Sequence, residues 1–353
     1  MDINYIAPIN SLGYGVAGLN ILKSLNKNNK VSYFPIGEPS LQNRQDYELV
    51  SETISNAKKP NFKAPCVRIW HQHDMSQFVG KGIHAGFPIF ELDTFTEQEI
   101  HHLKSLDTIL VCSQWAKDII LNNLEHNSVV VSPLGVDRSV FQQTEVTDGS
   151  TKFFNCGKWE IRKGHDILFE AFNSAFNEDD DVELWMMCHN PFYSEEENRE
   201  WENLYLSSKL GSKIKIIPRQ ETHLDVFNIM SSVDCGVFPA RAEGWNLELL
   251  EMMSCGKSVI ATDYSAHTEF CNKDNCGLIP INDTELAYDG KWFNGQGSWA
   301  KIDEAAKKSI ADEMRKVHEL KKAGSLKVNS KGVQRASELS WDNTSEKILG
   351  ALQ

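Results

Sequence analysis

Short apolar runs, each closed by a turn and followed by a helical stretch, recur along the whole chain, and this alternation sets the first expectations. An apolar run at 3–7 predicts a strand. The turn Asn10-Ser11-Leu12-Gly13-Tyr14-Gly15 follows, and Val16, Leu19, Ile21, Leu22 and Leu25 then fall on one side of a predicted helix. Further strands are expected at 31–35, 67–70, 108–112 and 128–133, with helices at 97–106 and 114–124. Residues 142–150 (QQTEVTDGS) are polar and without period, which reads as a linker and a hinge. Beyond them the pattern restarts. Strands are expected at 153–156, 182–187, 214–218, 235–238 and 258–262, and helices at 166–175, 224–231 and 247–255. The last amphipathic stretch, 341–352, is expected to pack back onto the first half.

Strands alternating with helices predict parallel sheets flanked by helices and built from right-handed crossovers. The fold class expected is therefore α/β, with two Rossmann-like, doubly wound domains facing across a cleft. Residues 1–143 form the first domain and 151–335 the second, and 336–353 return to the first. In such folds ligands bind at the carboxyl ends of the strands. No repeat of about 20–50 residues breaks the pattern, so solenoids and propellers are excluded.

Composition narrows the class. With 353 residues, 41% apolar and 24% charged, the chain suits two ordinary cores. No run reaches the roughly 18 apolar residues of a membrane span, and the start MDINYIAPIN lacks the basic and apolar regions of a secretory signal. The eight cysteines stand singly, without zinc or CxxC spacing, as in a reduced compartment. A cytoplasmic protein is expected, with peripheral contact at the inner face of the membrane left open. The formal net charge of −13 speaks against nucleic acid as a partner. The basic stretch Lys307, Lys308, Arg315, Lys316, Lys321, Lys322 and Lys327 reads first as a solvated helix face, and second as a site for anionic lipid or nucleic acid.

The segment from Pro239 to Thr262 holds the most chemistry: a strand, a Gly-containing turn, a helix and a strand in quick succession. Seven residues separate Glu243, in the turn, from Glu251, in the helix. Backbone N–H groups of Gly244, Trp245, Asn246 and Leu247 at a helix start favour an anion. On spacing alone, a capping acid and a surface glutamate serve equally well.

The segment resembles the E-x7-E signature of retaining glycosyltransferases of the GT-B fold, the glycosyltransferase group 1 family (GT4 type). The resemblance implies that Glu243 contacts hydroxyls of the transferred sugar and Glu251 the ribose of the donor nucleotide. The family's usual Gly-Phe-Gly-Leu-Pro is here Gly244-Trp245-Asn246-Leu247-Glu248. A second segment, Gly157-Lys158-Trp159-Glu160-Ile161-Arg162-Lys163-Gly164, is similar to the family's G-R-x-x-x-x-K-G loop, whose cations bind the donor diphosphate. Lys158 stands at the usual arginine, Lys163 at the lysine, and Arg162 adds a third charge. In the first half, the glycine turn containing Gly15 resembles the family's N-terminal glycine loop, which approaches the donor phosphate or the acceptor and makes Gly15 an expected donor-binding residue. His71-Gln72-His73-Asp74 resembles its strand-end His-Asp, which places His73 and Asp74 at the reacting centre with His71 beside them.

The resemblance implies hexose transfer, with retention, from a UDP- or GDP-linked sugar to a hydroxyl of a glycan or lipid-linked acceptor, as in lipopolysaccharide or polysaccharide synthesis, with the acceptor bound by residues 1–143 and the nucleotide sugar by 151–335. Neither a metal nor a resident cofactor is expected. The alternatives are a phage-type glycosyltransferase acting on a hydroxymethylated DNA base, a sugar-nucleotide epimerase or hydrolase, and a binding module with a degenerate site.

Overall fold

The computed structural model describes residues 1–353, which separate into two compact units, 1–135 with 339–353 and 136–338. In the first, the strands are β1 (Asp2–Ala7), β2 (Lys30–Pro35), β3 (Cys66–Trp70), β4 (His84–Pro88), β5 (Thr108–Val111) and β6 (Val129–Val131). They form one parallel sheet in the order β2-β1-β3-β4-β5-β6. The helices are α1 (Gly13–Asn26), α2 (Arg44–Asn56), α3 (Glu97–Lys104) and α4 (Gln114–Asn123). Each of the last three begins at a side-chain cap: Asn43, Thr96 and Ser113 accept from backbone N–H groups of the first turn. Thr96 and Glu99 form a reciprocal capping box.

The second unit has β7 (Thr151–Gly157), β8 (Val182–Cys188), β9 (Ile214–Ile216), β10 (Cys235–Phe238), β11 (Ser258–Thr262) and β12 (Gly277–Ile279). Their parallel order is β12-β11-β10-β7-β8-β9, a doubly wound sheet whose order reverses at β7 and β10. The helices are α5 (His165–Ala175), α6 (Glu195–Leu206), α7 (His223–Ser231), α8 (Leu247–Ser254), α9 (Glu304–Lys322) and α10 (Ser330–Glu338). A separate antiparallel hairpin, β13 (Thr284–Tyr288) and β14 (Asn294–Ala300), has no counterpart in the sequence expectation. The core joins Phe153, Leu168, Phe172, Leu184, Val237 and Ile310. Glu195, Glu196 and Glu197 fill the first turn of α6, with Ser194 as cap, so the acidic cluster serves a helix start.

Two boundaries differ from the sequence expectation. The polar stretch 142–150 is laid along the second unit and is no free hinge: Thr144 N–H donates to the Cys255 carbonyl (3.0 Å), Thr147 Oγ1 to Asp234 (2.8 Å) and Lys257 Nζ to the Glu145 carbonyl (2.8 Å). Residues 136–143 also cluster with the second unit. Polarity marked an exposed backbone correctly, but side chains distant in sequence hold that backbone. The final helix α11 (Trp341–Ala351) lies in the first unit, where Thr344 Oγ1 donates to the Pro133 carbonyl at 2.7 Å.

The basic stretch lies on α9 except for Lys327, which follows it, and its cations are largely matched by acids. Lys307 meets Glu170 and Glu304, Lys308 meets Asp312, Arg315 meets Asp180, Lys316 meets Glu313, and half-buried Lys321 meets Asp234. No helix is long and apolar enough to cross a membrane. All eight cysteines are unpaired and buried.

Candidate active site

The site of the second unit is built where β7 and β10 end. β7 runs into the loop 158–164, and α5 begins after Gly164, whose φ of 75° lies in the left-handed region. A Cβ there would sit 2.1 Å from the Pro239 carbonyl oxygen, so the loop lies against the β10 turn only because residue 164 is glycine. The turn after β10 delivers Glu243, and Asn246 (φ 85°) caps α8 by accepting from Leu249 N–H at 3.1 Å. Sequence-distant basic loop and acidic turn thus meet.

Their meeting is a buried ion network. Lys163 Nζ donates to Glu243 Oε1 at 2.7 Å and Arg162 Nη1 to Oε2 at 2.9 Å. Arg162 also donates to the Ala242 carbonyl (2.7 Å) and, through Nε and Nη2, to Glu160 Oε2 (3.0 and 2.7 Å). Lys158 completes the set on Glu160 Oε1 at 2.7 Å. Glu243 is 5% exposed and Arg162 likewise. Burial alone would raise the Glu243 carboxyl, but Arg162 and Lys163 outweigh it and hold the group well below the usual carboxylate range. Burial would lower the Lys163 ammonium, and Glu243 reverses that shift. The three cations expected to face an anion are therefore engaged with two acids.

Glu251 differs in kind. It is buried in α8, and burial, then Glu248, then Asp137, push its carboxyl well above the usual range. Trp245 is also buried, packed on Phe270 at 4.9 Å, and its Nε1–H has no partner. Gly244, Asn246 and Leu247 stay at the helix start, between Glu243 and Glu251.

Several residues of this site were not singled out from sequence. Glu160 bridges Lys158 and Arg162. Ser265 (φ 54°) accepts the Glu243 N–H at 2.9 Å, and His267 Nε2 meets Asn246 Nδ2 at 3.0 Å. Arg241 clamps the acidic turn to α5 through Asp166 (2.7 and 2.8 Å). His165 accepts Glu160 N–H at Nδ1 (3.0 Å), so its other nitrogen donates to Asn155 Oδ1 (2.9 Å). Burial and then Lys163 push its pKa down to about 3. A charged residue inside a polar loop carries a sequence signal for Glu160; Ser265 and His267 had none.

In the first unit the expected residues stand otherwise. Asp74 is committed to bracing: Arg68, itself buried, donates from Nη2 to its carboxylate (2.6 Å) and from Nε to its carbonyl (2.8 Å). His73 is exposed and stacks on His71 (centroids 5.3 Å, 11°). His71 in turn packs on Tyr14, whose hydroxyl donates to the Ile89 carbonyl. Gly15 lies within the first turn of α1, and a Cβ there would come within 2.4 Å of Asn10 backbone and side chain. Close packing against the preceding loop thus accounts for this glycine without a ligand.

Comparison with known proteins follows the same division. Residues 150–289 match the family model described as glycosyl transferases group 1. An uncharacterized glycosyltransferase of Methanocaldococcus jannaschii is 26% identical over 215 residues, 55% of this chain, and the match spans only 56% of that relative's length. Among solved structures, sucrose-phosphate synthase from Thermosynechococcus elongatus superposes with a TM-score of 0.72 at 14% identity, over 99% of this chain and 98% of that one. Anabaena HepE in complex with UDP gives 0.69 at 13%, over 100% and 99%. Two parallel six-stranded sheets with these neighbours define the GT-B fold, and residues 150–289, within the second unit, are similar to glycosyl transferases group 1.

Proposed function

We propose that the chain transfers a hexose from a nucleoside diphosphate sugar to an acceptor hydroxyl with retained anomeric configuration. The observation that carries this reading is the meeting of Lys163 and Arg162 with Glu243 at the carboxyl ends of β7 and β10. A diphosphate is the natural competitor for those cations, and Glu243, once released, becomes an acceptor for sugar hydroxyls. The UDP held by HepE supports a uridine donor here, with a guanosine donor as the alternative. Glu251 serves the ribose hydroxyls. His73 borders the reacting centre, and Asp74, held by Arg68, positions it.

The leaving diphosphate gathers negative charge while the sugar passes through an oxocarbenium-like state. Lys158, Arg162 and Lys163 and the N–H groups of residues 244–247 stabilise that charge, so neither a metal nor a cofactor is required. Working site and acceptor complete the reading: a cytoplasmic enzyme, peripheral to the membrane when the acceptor is lipid-linked, building cell-surface glycan.

Incubation with UDP- and GDP-sugars in excess EDTA tests it, by following free nucleoside diphosphate with and without acceptor pools. Acceptor-dependent release and an α-linked product from an α donor are expected. Acceptor-independent release would identify an epimerase or hydrolase, and a requirement for manganese or magnesium would refute the metal-free reading.

A further inference from the structure

Next to the ion network, the second unit displays an aromatic cluster that the transfer reaction as described does not use. Phe192 is 54% exposed and Trp292 47%, and their rings meet edge to face at 6.0 Å. Phe192 lies in the turn after β8; Trp292 lies at the tip of the β13–β14 hairpin. Lys291 sits over Tyr193 at 4.0 Å, and Lys158 over Phe192 at 5.3 Å. Large apolar side chains left in water on two separate segments, yet brought together, call for a ligand.

Both segments are bolted to the donor loops. Buried Asn190 donates to the Trp159 carbonyl (3.0 Å), within the basic loop, and accepts Phe192 N–H (3.0 Å). At the hairpin base, Ala300 N–H donates to the Arg241 carbonyl (2.9 Å), and Arg241 Nε reaches Glu285 (3.1 Å). The tip is fixed by Asp289, whose Oδ1 accepts from the backbone of Lys291, Trp292 and Phe293 (2.9, 2.7 and 2.9 Å). The rings are therefore pre-positioned, which lowers the ordering cost of binding.

Charge decides the occupant. Lys158 is already paired with Glu160, and Lys291 with Glu197. With Lys158 given to the ion network and Lys291 matched by Glu197, no cation is left over at the rings for a polyanion or an acidic membrane, whereas exposed rings flanked by paired polar groups suit a neutral, hydroxyl-rich ligand. We infer that Phe192 and Trp292 form a carbohydrate subsite, on the donor-loop side of the second unit, that holds a neutral pyranose of the acceptor glycan. That the glycan is an acceptor rests on the transfer reading; the binding itself does not.

The test uses the full chain with maltotriose, cellotriose and chitotriose as probes, followed by saturation-transfer NMR and calorimetry. UDP and vesicles of phosphatidylcholine with phosphatidylglycerol run in parallel. At least one trisaccharide should bind, and Phe192→Ala and Trp292→Ala should each weaken it about tenfold while UDP affinity stays unchanged. No trisaccharide binding, or binding indifferent to both substitutions, overturns the subsite. So does a loss confined to UDP, which would make the rings a base platform, or a loss confined to vesicles. If trisaccharide binding depends on the rings while UDP never binds, the subsite stands and the transfer reading falls. The two substitutions lie on separate segments, and thermal melts identify either one that fails to fold.

Discussion

The basic loop and acidic turn of the second unit, set beside the strand-end His71–Asp74 of the first, show two ways of holding polar groups. In the second unit Arg162, Glu160 and Glu243 are buried, Lys163 is half-buried, and the four are bonded to one another, so each is fixed by the others. In the first, only Arg68 is buried; its partner Asp74 is 29% exposed, and His73 is held by a stacked ring alone. Buried networks are costly when broken and rigid when whole; exposed groups are cheap to change and free to adapt. The contrast assigns preorganised charge to the second unit and adjustable contact to the first.

The largest effect should come from cutting the network. Arg162→Ala leaves Glu160 and Glu243 short of partners and the Ala242 carbonyl unbonded, at a cost of about 3–5 kcal/mol. Arg162→Lys keeps the charge but not the fork and should fall between. Denaturant unfolding reads both. A loss below about 1 kcal/mol would show that the network relaxes, and the contrast with Asp74 would collapse.

A smaller effect follows from acid. His165 titrates at about 3 and His267 at about 4 in the folded chain, both lowered chiefly by burial. An unfolded histidine titrates near about 6.5, so below that pH the unfolded chain binds protons that the folded one refuses. Stability is therefore present above about 6.5 and declines as pH falls toward 4 and 3, by roughly 1.4 kcal/mol per pH unit for each histidine. His165→Gln should remove one histidine's share of that slope between pH 6 and 5, whatever it does at pH 7. An unchanged slope would mean that the ring protonates without unfolding.

How much of this was legible beforehand depends on whether the signal was local. The alternation of strands and helices gave ten of the twelve strands of the two sheets, because each of those ten is apolar enough to register alone, while β4 and β12 went unread. β4 escaped, since His84-Ala-Gly-Phe-Pro88 interrupts an apolar run with Gly86. α2 escaped because few of its residues are buried. The hairpin carried an Asp289-Gly290 turn signal between Tyr288 and Trp292 that could have been read. Glu243 and Lys163 were findable through motif spacing, but that they bond each other is a tertiary fact. Asp74 shows the same limit in reverse: its neighbour Arg68, six residues back, stood in plain view, yet only the bend after β3 brings the guanidinium onto it.

The smallest effect on the fold is the most informative about the first unit. His73 is exposed and has one stacking contact, so His73→Ala should change unfolding stability by no more than about 0.5 kcal/mol. Asp74→Asn keeps an oxygen for Arg68 but removes the charge, and should cost on the order of 1 kcal/mol. Under the transfer reading the order reverses for turnover. His73→Ala removes a polar contact at the reacting centre and should slow transfer by about ten- to a few-thousandfold. Asp74→Asn disturbs only the loop that carries His73, and should slow it less. On the same reading product configuration should stay α in both, because the departing phosphate would take the acceptor proton and neither side chain would set the face of attack. Steady-state rates and the anomeric coupling constant by NMR measure all three quantities. If Asp74→Asn abolishes turnover while His73→Ala is silent, the carboxylate does the chemistry despite Arg68. A β-linked product from either variant would replace retention with in-line displacement.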